Sequence, residues 1–392
     1  MFKTWESRAK KNYFLLLFIL FINFFSLSFM FLLPKLIKSM GGHEGNIGII
    51  MGIGIVSSVI IAPLSGYLSD KVSNHLLILT GVITYSISTS LLLFVRRIDF
   101  LIISIRIIQT AGGVCILTTI FSILSKMIPQ ENKAQSIAYF AATIQLSYSI
   151  GIFTASKILD STSFHFLFRV SSIIPLLSLF LLPLLKFETK TDSLKVEHLS
   201  INKGELLHSF LKMEMIMVFC LVFLLGGTFG TVLQFTAVYL DTLHTSGISW
   251  ERILTPYFLT TGTFSIVLSR VFFSGYSDRH DKNKVIYIFF IALAVSILLM
   301  TFIRNKLTSV SVSIIFGISC GFLYPVINAL GLSRTASKNR GKTSGVLVML
   351  YDIGYFGFAF LMGEIAHQLG FFNMMYILSG MLIIFIIFYY IL

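Results

Sequence analysis

Residues 13–33 read YFLLLFILFINFFSLSFMFLL, a run of 21 residues without a charged side chain. A helix rises about 1.5 Å per residue, so a run of this length can cross the ~30 Å hydrocarbon core of a membrane. The run follows Lys3, Arg8, Lys10 and Lys11, a charge layout that signal peptides share. It is too long for a signal peptide, however, and no small-residue cleavage site follows it. We therefore expect residues 13–33 to form a retained membrane-spanning helix.

The composition of the whole chain agrees with a membrane environment. Hydrophobic residues make up 56% of the 392 residues and charged residues only 12%, whereas about a quarter of the residues in a soluble domain are charged. The mean hydropathy is +0.88. The three cysteines, Cys115, Cys220 and Cys320, all fall inside apolar runs, so their spacing favours core thiols over a disulfide framework or a metal site.

Apolar stretches long enough to span a membrane recur along the sequence. Six lie near residues 13–33, 47–67, 76–95, 100–124, 134–158 and 166–185, and six more near 213–240, 253–271, 285–303, 310–330, 344–369 and 371–390. The sequence therefore predicts an all-α membrane protein with about twelve transmembrane helices in two six-helix bundles. The N-terminal bundle covers residues 1–186, a polar linker 187–211, and the C-terminal bundle 212–392.

The distribution of Lys and Arg predicts the orientation. If the N-terminus is cytoplasmic, 20 of the 30 basic residues fall on the cytoplasmic side and 8 on the opposite side. Cytoplasmic loops carry such an excess in multi-pass proteins. We therefore expect a protein of the cytoplasmic (inner) membrane with both termini inside. The same bias accounts for most of the net charge of +13, so a nucleic-acid partner is not expected.

The loop between the second and third predicted spans, residues 66–75, reads GYLSDKVSNH. It resembles the cytoplasmic signature of the major facilitator superfamily, Gly-x-Leu-Ala-Asp-Arg-x-Gly-Arg-Lys, although its last three residues depart from the pattern. Three positions match and one is a Lys for Arg replacement: Gly66, Leu68, Asp70 and Lys71. The resemblance implies a gating latch between helices on the cytoplasmic side. The alternative is a solvated turn, which any multi-pass protein needs.

The corresponding loop of the second half, residues 274–282, reads SGYSDRHDK. It repeats the Gly-Tyr step and the acid-base pair, here Asp278 and Arg279, but lacks the Leu. Asp278 follows Asp70 by 208 positions, close to the offset between the two predicted bundles. We therefore expect Asp278 and Arg279 to belong to the same gating motif.

In the fourth span, residues 106–113 read RIIQTAGG and resemble a second signature of the family, Arg-x-x-Gln-Gly, with Thr110 in place of Gly. The resemblance implies that Arg106 takes part in proton coupling. Arg106 and Gln109 are three residues apart and share one helix face, so both can point into a cavity. Alternatively, Arg106 reaches back to the membrane surface along its own stem.

Asp352 lies about eight residues into the eleventh predicted span, and its short side chain cannot reach the interface from there. An ionised carboxylate is costly in the membrane, so Asp352 can hold a proton at one stage of a transport cycle and release it when water arrives. We predict a proton-coupling role. The alternative is a structural hydrogen bond to a polar group on a neighbouring helix.

In the family fold, spans one, four, seven and ten line a central cavity. The resemblance thus implies a substrate cavity formed by polar side chains of these spans: Asn23, Gln109, Gln234, Tyr324 and Asn328. Taken singly, each of these side chains can equally well form an interhelical hydrogen bond. Together they indicate a pocket of mixed polarity with aromatic walls, suited to a small amphipathic ligand.

The loops contain no nucleotide-binding or catalytic motif, so we expect neither an enzyme nor a cofactor. We predict a monomeric secondary transporter for a small amphipathic or metal-chelating molecule, coupled to protons and working as an exporter. Residues 351–354, YDIG, resemble the eleventh span of some efflux members, including metallophore exporters, whereas residues 134–158 lack the Gly-Pro signature of many exporters. Three alternatives stay open: proton- or sodium-coupled uptake of a small metabolite or siderophore, a non-transporting receptor, and an intramembrane enzyme acting on a lipid.

Overall fold

The computed structural model describes residues 7–69, 71–128, 133–185, 210–247, 254–272, 281–336 and 339–391. Throughout these ranges the regular structure is helical. This follows from the solvent, because a backbone in hydrocarbon must satisfy its hydrogen bonds internally and a helix does so within one segment. Most of the predicted linker lies outside the described residues, as do Asp70, Asp278 and Arg279.

The N-terminal half contributes six helices long and apolar enough to cross a membrane. They are α1 (Arg8–Ser39), α2 (Glu44–Leu68), α3 (Asn74–Phe94), α4 (Phe100–Met127), α5 (Ser136–Ser161) and α6 (Phe164–Leu184). Three of them contain tighter 3₁₀ segments, at Ser28–Leu32 in α1, at Leu92–Phe94 in α3 and at Ile174–Leu184 in α6. The segment in α6 has prolines at residues 175 and 183, which lack the N–H that a regular α-helix uses.

The C-terminal half contributes α7 (Met213–Thr245), α8 (Thr255–Phe272), α9 (Lys282–Met300) and α10 (Lys306–Ser333). The continuous helical stretch Arg340–Ile391 is broken at Gly370, whose φ of 83° is not helical. It therefore forms two helices, α11 (340–369) and α12 (371–391). The described residues thus hold twelve helices, among which ten stretches, with 340–391 counted as one, are long and apolar enough to cross a membrane; α8 is not among these ten.

Helices pack within and between the two halves. In the N-terminal half α4 packs against α2 and α3, and α1 packs against α5 and α6. In the C-terminal half α7 packs against α11, and α10 against α8 and α9. Three pairs of helices join the halves: α2 with α11, α5 with α8, and α1 with α7.

Small residues bring α7 and α11 into close contact. The backbone of Tyr351 lies against Gly226, and the backbone of Tyr355 lies against Gly230, so closely that no side chain would fit at either glycine. In a membrane, where burial of apolar surface does not drive helices together, such close packing is a main source of association. The α7–α11 pair is therefore a tightly packed unit, and residue 352 lies within it.

The halves also meet at the end of the bundle where α1 ends and α2 begins, which we call the distal end. Lys35 Nζ lies 2.8 Å from Asp241 Oδ1, and the rings of His43 and His367 are stacked with their centroids 3.8 Å apart. One turn further along α2, Gly48 packs against the backbone of α11. These contacts close the distal end in this conformation.

Candidate functional site

A cavity of about 230 Å³ lies between the two halves. Its wall is formed by α1, α2, α3, α4 and α5 of the N-terminal half and by α7 and α11 of the C-terminal half. About 10–15 Å³ of such space is enough for one water molecule, so the cavity has room for several. Among the described residues of its wall, two carry a formal charge, Arg106 and Asp352. The cavity is therefore a small compartment with one positive and one negative group.

Arg106 reaches the cavity from α4. Its side chain is 7% exposed, and Nη1 donates a 2.5 Å hydrogen bond to Oε1 of Gln109, one turn further along the helix. The Nε atom is buried without a hydrogen-bond partner. No carboxylate of the described residues lies within ion-pair distance of this guanidinium. Among the described residues, its one hydrogen-bond partner is therefore a neutral amide.

Gln109 is held in place by two other helices. Its Nε2 donates to Thr89 Oγ1 on α3 at 2.8 Å and to Met30 Sδ on α1 at 3.0 Å. These two acceptors fix the orientation of the amide and leave Oε1 directed at Arg106. The guanidinium is thus positioned by a network that ties α4 to α1 and α3.

Asp352 reaches the cavity from α11, on the opposite half. Its Oδ2 accepts a 2.7 Å hydrogen bond from the hydroxyl of Ser58, a residue of α2. This bond crosses from one half to the other at the level of the cavity. A hydrogen bond to a carboxylate is stronger when the carboxylate is charged, so the contact depends on the protonation state of Asp352.

Two further wall residues come from α7. Gln234 donates from Nε2 to the backbone carbonyl of Tyr355 at 2.9 Å, while its Oε1 is buried without a partner. Phe229, one turn earlier, packs near the rings of Tyr351 and Tyr355 with centroids 6.4 and 6.2 Å away. The C-terminal wall therefore combines aromatic surface with one unused hydrogen-bond acceptor.

Asn23, which the family resemblance places on the cavity, is not among the wall residues. Its Nδ2 donates to Ser178 Oγ on α6 at 3.1 Å and to the carbonyl of Ile19 at 2.8 Å. Ser26, one turn later, likewise donates to the carbonyl of Ser171 on α6. The polar stripe of α1 thus faces α6, and the apolar face of α1 lines the cavity.

Tyr324 and Asn328 of α10 are also absent from the wall, because α10 lies behind other helices. The ring of Tyr324 packs edge-on against Tyr351 of α11, with centroids 5.1 Å apart, and Asn328 donates to the carbonyl of Tyr324 within its own helix. Phe316 of α10 stacks behind Phe229 at 6.2 Å. Of the four spans that the family resemblance places around the cavity, α1, α4 and α7 line it and α10 does not.

Of the residues named in the two predicted gating motifs, Gly66, Leu68 and Lys71 belong to the described residues, whereas Asp70, Asp278 and Arg279 do not. Lys71 is exposed, and its ammonium lies 4.4 Å from the ring centroid of Tyr67. A Cβ atom at Gly66 would have no atom within 4 Å. The close helix approach that a glycine permits is therefore not made at Gly66 in this conformation.

Several wall residues carry no motif and were not singled out as site residues by the sequence. The aromatic ones come from four helices of both halves: Phe24, Phe31, Tyr85, Tyr148, Tyr355 and Phe356. Ser58 also could not be recognised as a wall residue from the sequence, since serine is common in these spans. Only a prediction of which face of each helix points inward could have identified them. Within the described ranges there is also no cluster of three or more His, Cys, Asp or Glu side chains with the geometry of a metal site.

Comparison with known proteins was made for sequence and for structure. The family model of the Major Facilitator Superfamily matches residues 13–359. An uncharacterised transporter of Buchnera aphidicola is 26% identical over 321 residues, which cover 81% of this chain and 80% of that protein. The quinolone resistance protein NorA of Staphylococcus aureus is 25% identical over 142 residues, 36% of each chain.

Two solved structures illustrate the likeness in fold. The nucleoside transporter NupG superimposes with a TM-score of 0.81 at 13% identity, covering 96% of this chain and 97% of that one. A bacterial homologue of the human lysosomal transporter Spinster, in an inward-facing and unoccupied conformation, gives a TM-score of 0.75 at 12% identity, covering 99% and 97%. At these identities the structures establish the fold.

Proposed function

The chain belongs to the Major Facilitator Superfamily, and on that premise we propose that it is a proton-coupled exporter of a small amphipathic or metal-chelating molecule. Members of this family are carriers rather than enzymes, and they bind small molecules within the membrane. The observation that carries the proposal is the cavity between the halves, with a carboxylate of one half bonded to a hydroxyl of the other.

The coupling step that we propose centres on Asp352. Ionised, it accepts the hydrogen bond from Ser58 and holds α11 against α2. When a proton neutralises the carboxylate, this bond weakens, because bonds to charged groups are roughly twice as strong as neutral ones. Protonation thereby alters the free energy of contact between the halves, which alternating access requires. Arg106, on the same cavity wall, is the second group that the sequence predicts to be involved in coupling.

Export is favoured by the similarity to NorA, named for quinolone resistance, over the 142 residues that it covers. The charge bias of the loops supports a cytoplasmic location of both termini, so that the distal end faces outward. A cavity closed at that end would exchange its ligand with the cytoplasm, a state through which exporters and importers both pass.

The proposal includes the organisation of the chain. Residues 1–186 and 212–392 would move against one another as two bundles, with 187–211 as the cytoplasmic linker between them. Three interhelical contacts between the halves, α2 with α11, α5 with α8 and α1 with α7, would then open and close at their distal ends. Because each chain contains both halves and the cavity between them, a monomer would be sufficient for transport.

The test is transport by the purified protein in sealed liposomes with an imposed pH gradient. Lumenal pH is followed while amphipathic and metal-chelating compounds are added one at a time. We expect one compound to trigger proton movement in the direction opposite to its own. Asp352→Asn should abolish uphill transport and leave binding and downhill exchange intact.

The matched control is Glu364→Gln, which removes a carboxylate from the exposed surface of the same helix α11. Uphill transport should survive this change. Normal uphill transport in Asp352→Asn would exclude Asp352 as the coupling group. If the compound moves in the same direction as the proton, the protein is an uptake carrier and not an exporter. Binding without any flux would favour a receptor.

A further inference from the structure

The charge of Arg106 is not compensated by the protein. Nη1 has one partner, the neutral amide of Gln109, and Nε has none. Within the described part of the chain no Asp or Glu side chain forms an ion pair with it, and Asp352, the other charged wall residue, is bonded to Ser58 instead. A buried ion whose partner is missing is costly, so the site favours any anion that reaches it.

The position of the guanidinium also suits the binding of a ligand. The network of Gln109 with Thr89 and Met30 holds it from one side. Nε is buried, so the N–H groups left for a ligand on the cavity wall are those of Nη2 and the second N–H of Nη1. A guanidinium fork matches a carboxylate with two parallel hydrogen bonds.

The remaining wall restricts which anion fits. The aromatic rings that surround the space belong to both halves: Tyr85, Tyr148, Phe229 and Tyr355. Such rings favour a flat, apolar body. The wall carries a single cationic group and also a single acidic one, so a second negative charge on the ligand would face Asp352 without compensation. The cavity therefore suits one negative charge on an otherwise uncharged molecule.

We propose that the transported molecule is an aromatic monocarboxylate, whose carboxylate binds the guanidinium of Arg106 and whose ring lies among the aromatic side chains of the two halves. That the molecule is transported rests on the proposed function, whereas its recognition by Arg106 can be measured as binding alone. Gln109 is in this scheme a positioning residue, because it acts on the ligand only through Arg106.

The test compares acids with their primary amides, which have nearly the same shape and no charge. The probes are indole-3-acetate with indole-3-acetamide, 3-phenylpropionate with 3-phenylpropionamide, and 1-naphthoate with 1-naphthamide. Binding to the purified full-length protein in lipid nanodiscs is measured by calorimetry. We expect at least one acid to bind, at least tenfold more tightly than its amide.

Three variants distinguish recognition by Arg106 from a structural role. Arg106→Gln should reduce the acid-to-amide ratio to about one, and Arg169→Gln, the same change at an exposed arginine of α6, should leave it unchanged. Gln109→Glu keeps the size of the side chain and supplies an internal carboxylate to the guanidinium. That variant gains an ion pair with Arg106 but loses the donors to Thr89 and Met30, so its thermal unfolding is measured beside binding; it should fold and still lose the preference for acids.

Three outcomes would overturn the proposal. They are equal binding of acid and amide, a preference for acids that persists in both Arg106→Gln and Gln109→Glu, and no binding by any of the six probes. The outcome is separable from that of the transport experiment. An acid preference without flux would retain the binding inference and reject the transporter, whereas proton-coupled flux of neutral or cationic compounds alone would do the reverse.

Discussion

Closure of the distal end depends on the contact between Gly48 of α2 and α11. A Cβ atom at position 48 would overlap the carbonyl oxygen of Ala359 and lie 3.1 Å from Cα of Gly363. Both obstacles are backbone atoms, which cannot rotate away. Adding one methyl group to a packed contact costs about 1–3 kcal/mol. At ~1.4 kcal/mol per factor of ten, Gly48→Ala should lower the ratio of closed to open distal ends by about 5- to 150-fold.

The assay is a distance measurement by pulsed electron resonance in liposomes. Spin labels at Ser39 and Asn373, exposed positions of the two halves near the distal end, are placed in a background in which Cys115, Cys220 and Cys320 are replaced by Ala. The wild-type background should give a short distance. Gly48→Ala should shift a large fraction of the population to a longer one.

The matched control is Gly357→Ala on α11, where a Cβ atom would meet nothing within 4 Å. Both substitutions gain the same helix propensity, about 1 kcal/mol for Gly to Ala, so a difference between them reports the contact alone. If the distance distributions of Gly48→Ala and Gly357→Ala coincide, the glycine contact does not hold the distal end closed, and the reasoning is wrong.

Three further changes test other contacts. Ser58→Ala should slow uphill transport by about ten- to hundredfold, because a hydrogen bond to a charged group contributes ~1.5–3 kcal/mol. The control is Ser57→Ala, which removes a hydroxyl that donates within the N-terminal half and should leave the rate unchanged. Equal rates in the two variants would contradict this role of Ser58. Lys35→Asp should open the distal end by less than about fivefold, since a partly exposed ion pair contributes up to ~1 kcal/mol. Adding Asp241→Lys should restore the short label distance, and failure of this rescue would mean that the pair is not a latch. Asp70→Asn should lower the maximal exchange rate without changing the half-saturating concentration, whereas an unchanged rate would make that loop a plain turn.

The helices themselves could be predicted from the sequence because hydrocarbon imposes a minimum length on each span. The predicted break between residues 369 and 371 coincides with Gly370, where the backbone leaves the helical region. The ends were less accurate. The tenth span, for example, is predicted to end near residue 330, whereas α10 continues to Ser333, because polar residues can extend a helix beyond the apolar core.

The wall of the cavity could be predicted only in part. Arg106 and Asp352 were identifiable because a charge inside an apolar run is costly, so charged residues within spans usually have a functional role. Asn23 and Ser58 show the limit of this reasoning. Both are uncharged polar residues in apolar helices, yet one faces α6 and the other faces the cavity and Asp352. Rotation of a helix about its axis is set by packing against its neighbours, and neither composition nor periodicity of a nearly all-apolar helix reveals it.

The close packing of α7 on α11 has a mechanical consequence. Gly226 and Gly230 hold the backbone on both sides of Asp352, so a displacement of that carboxylate must carry α7 with it. Asp241 lies eleven residues beyond Gly230 on the same helix, about 17 Å along its axis, and it is the residue that meets Lys35 at the distal end. Under the proposed coupling, protonation of Asp352 would therefore move the distal end of α7 through the stiffness of one helix, without a relay of rearranging side chains in between.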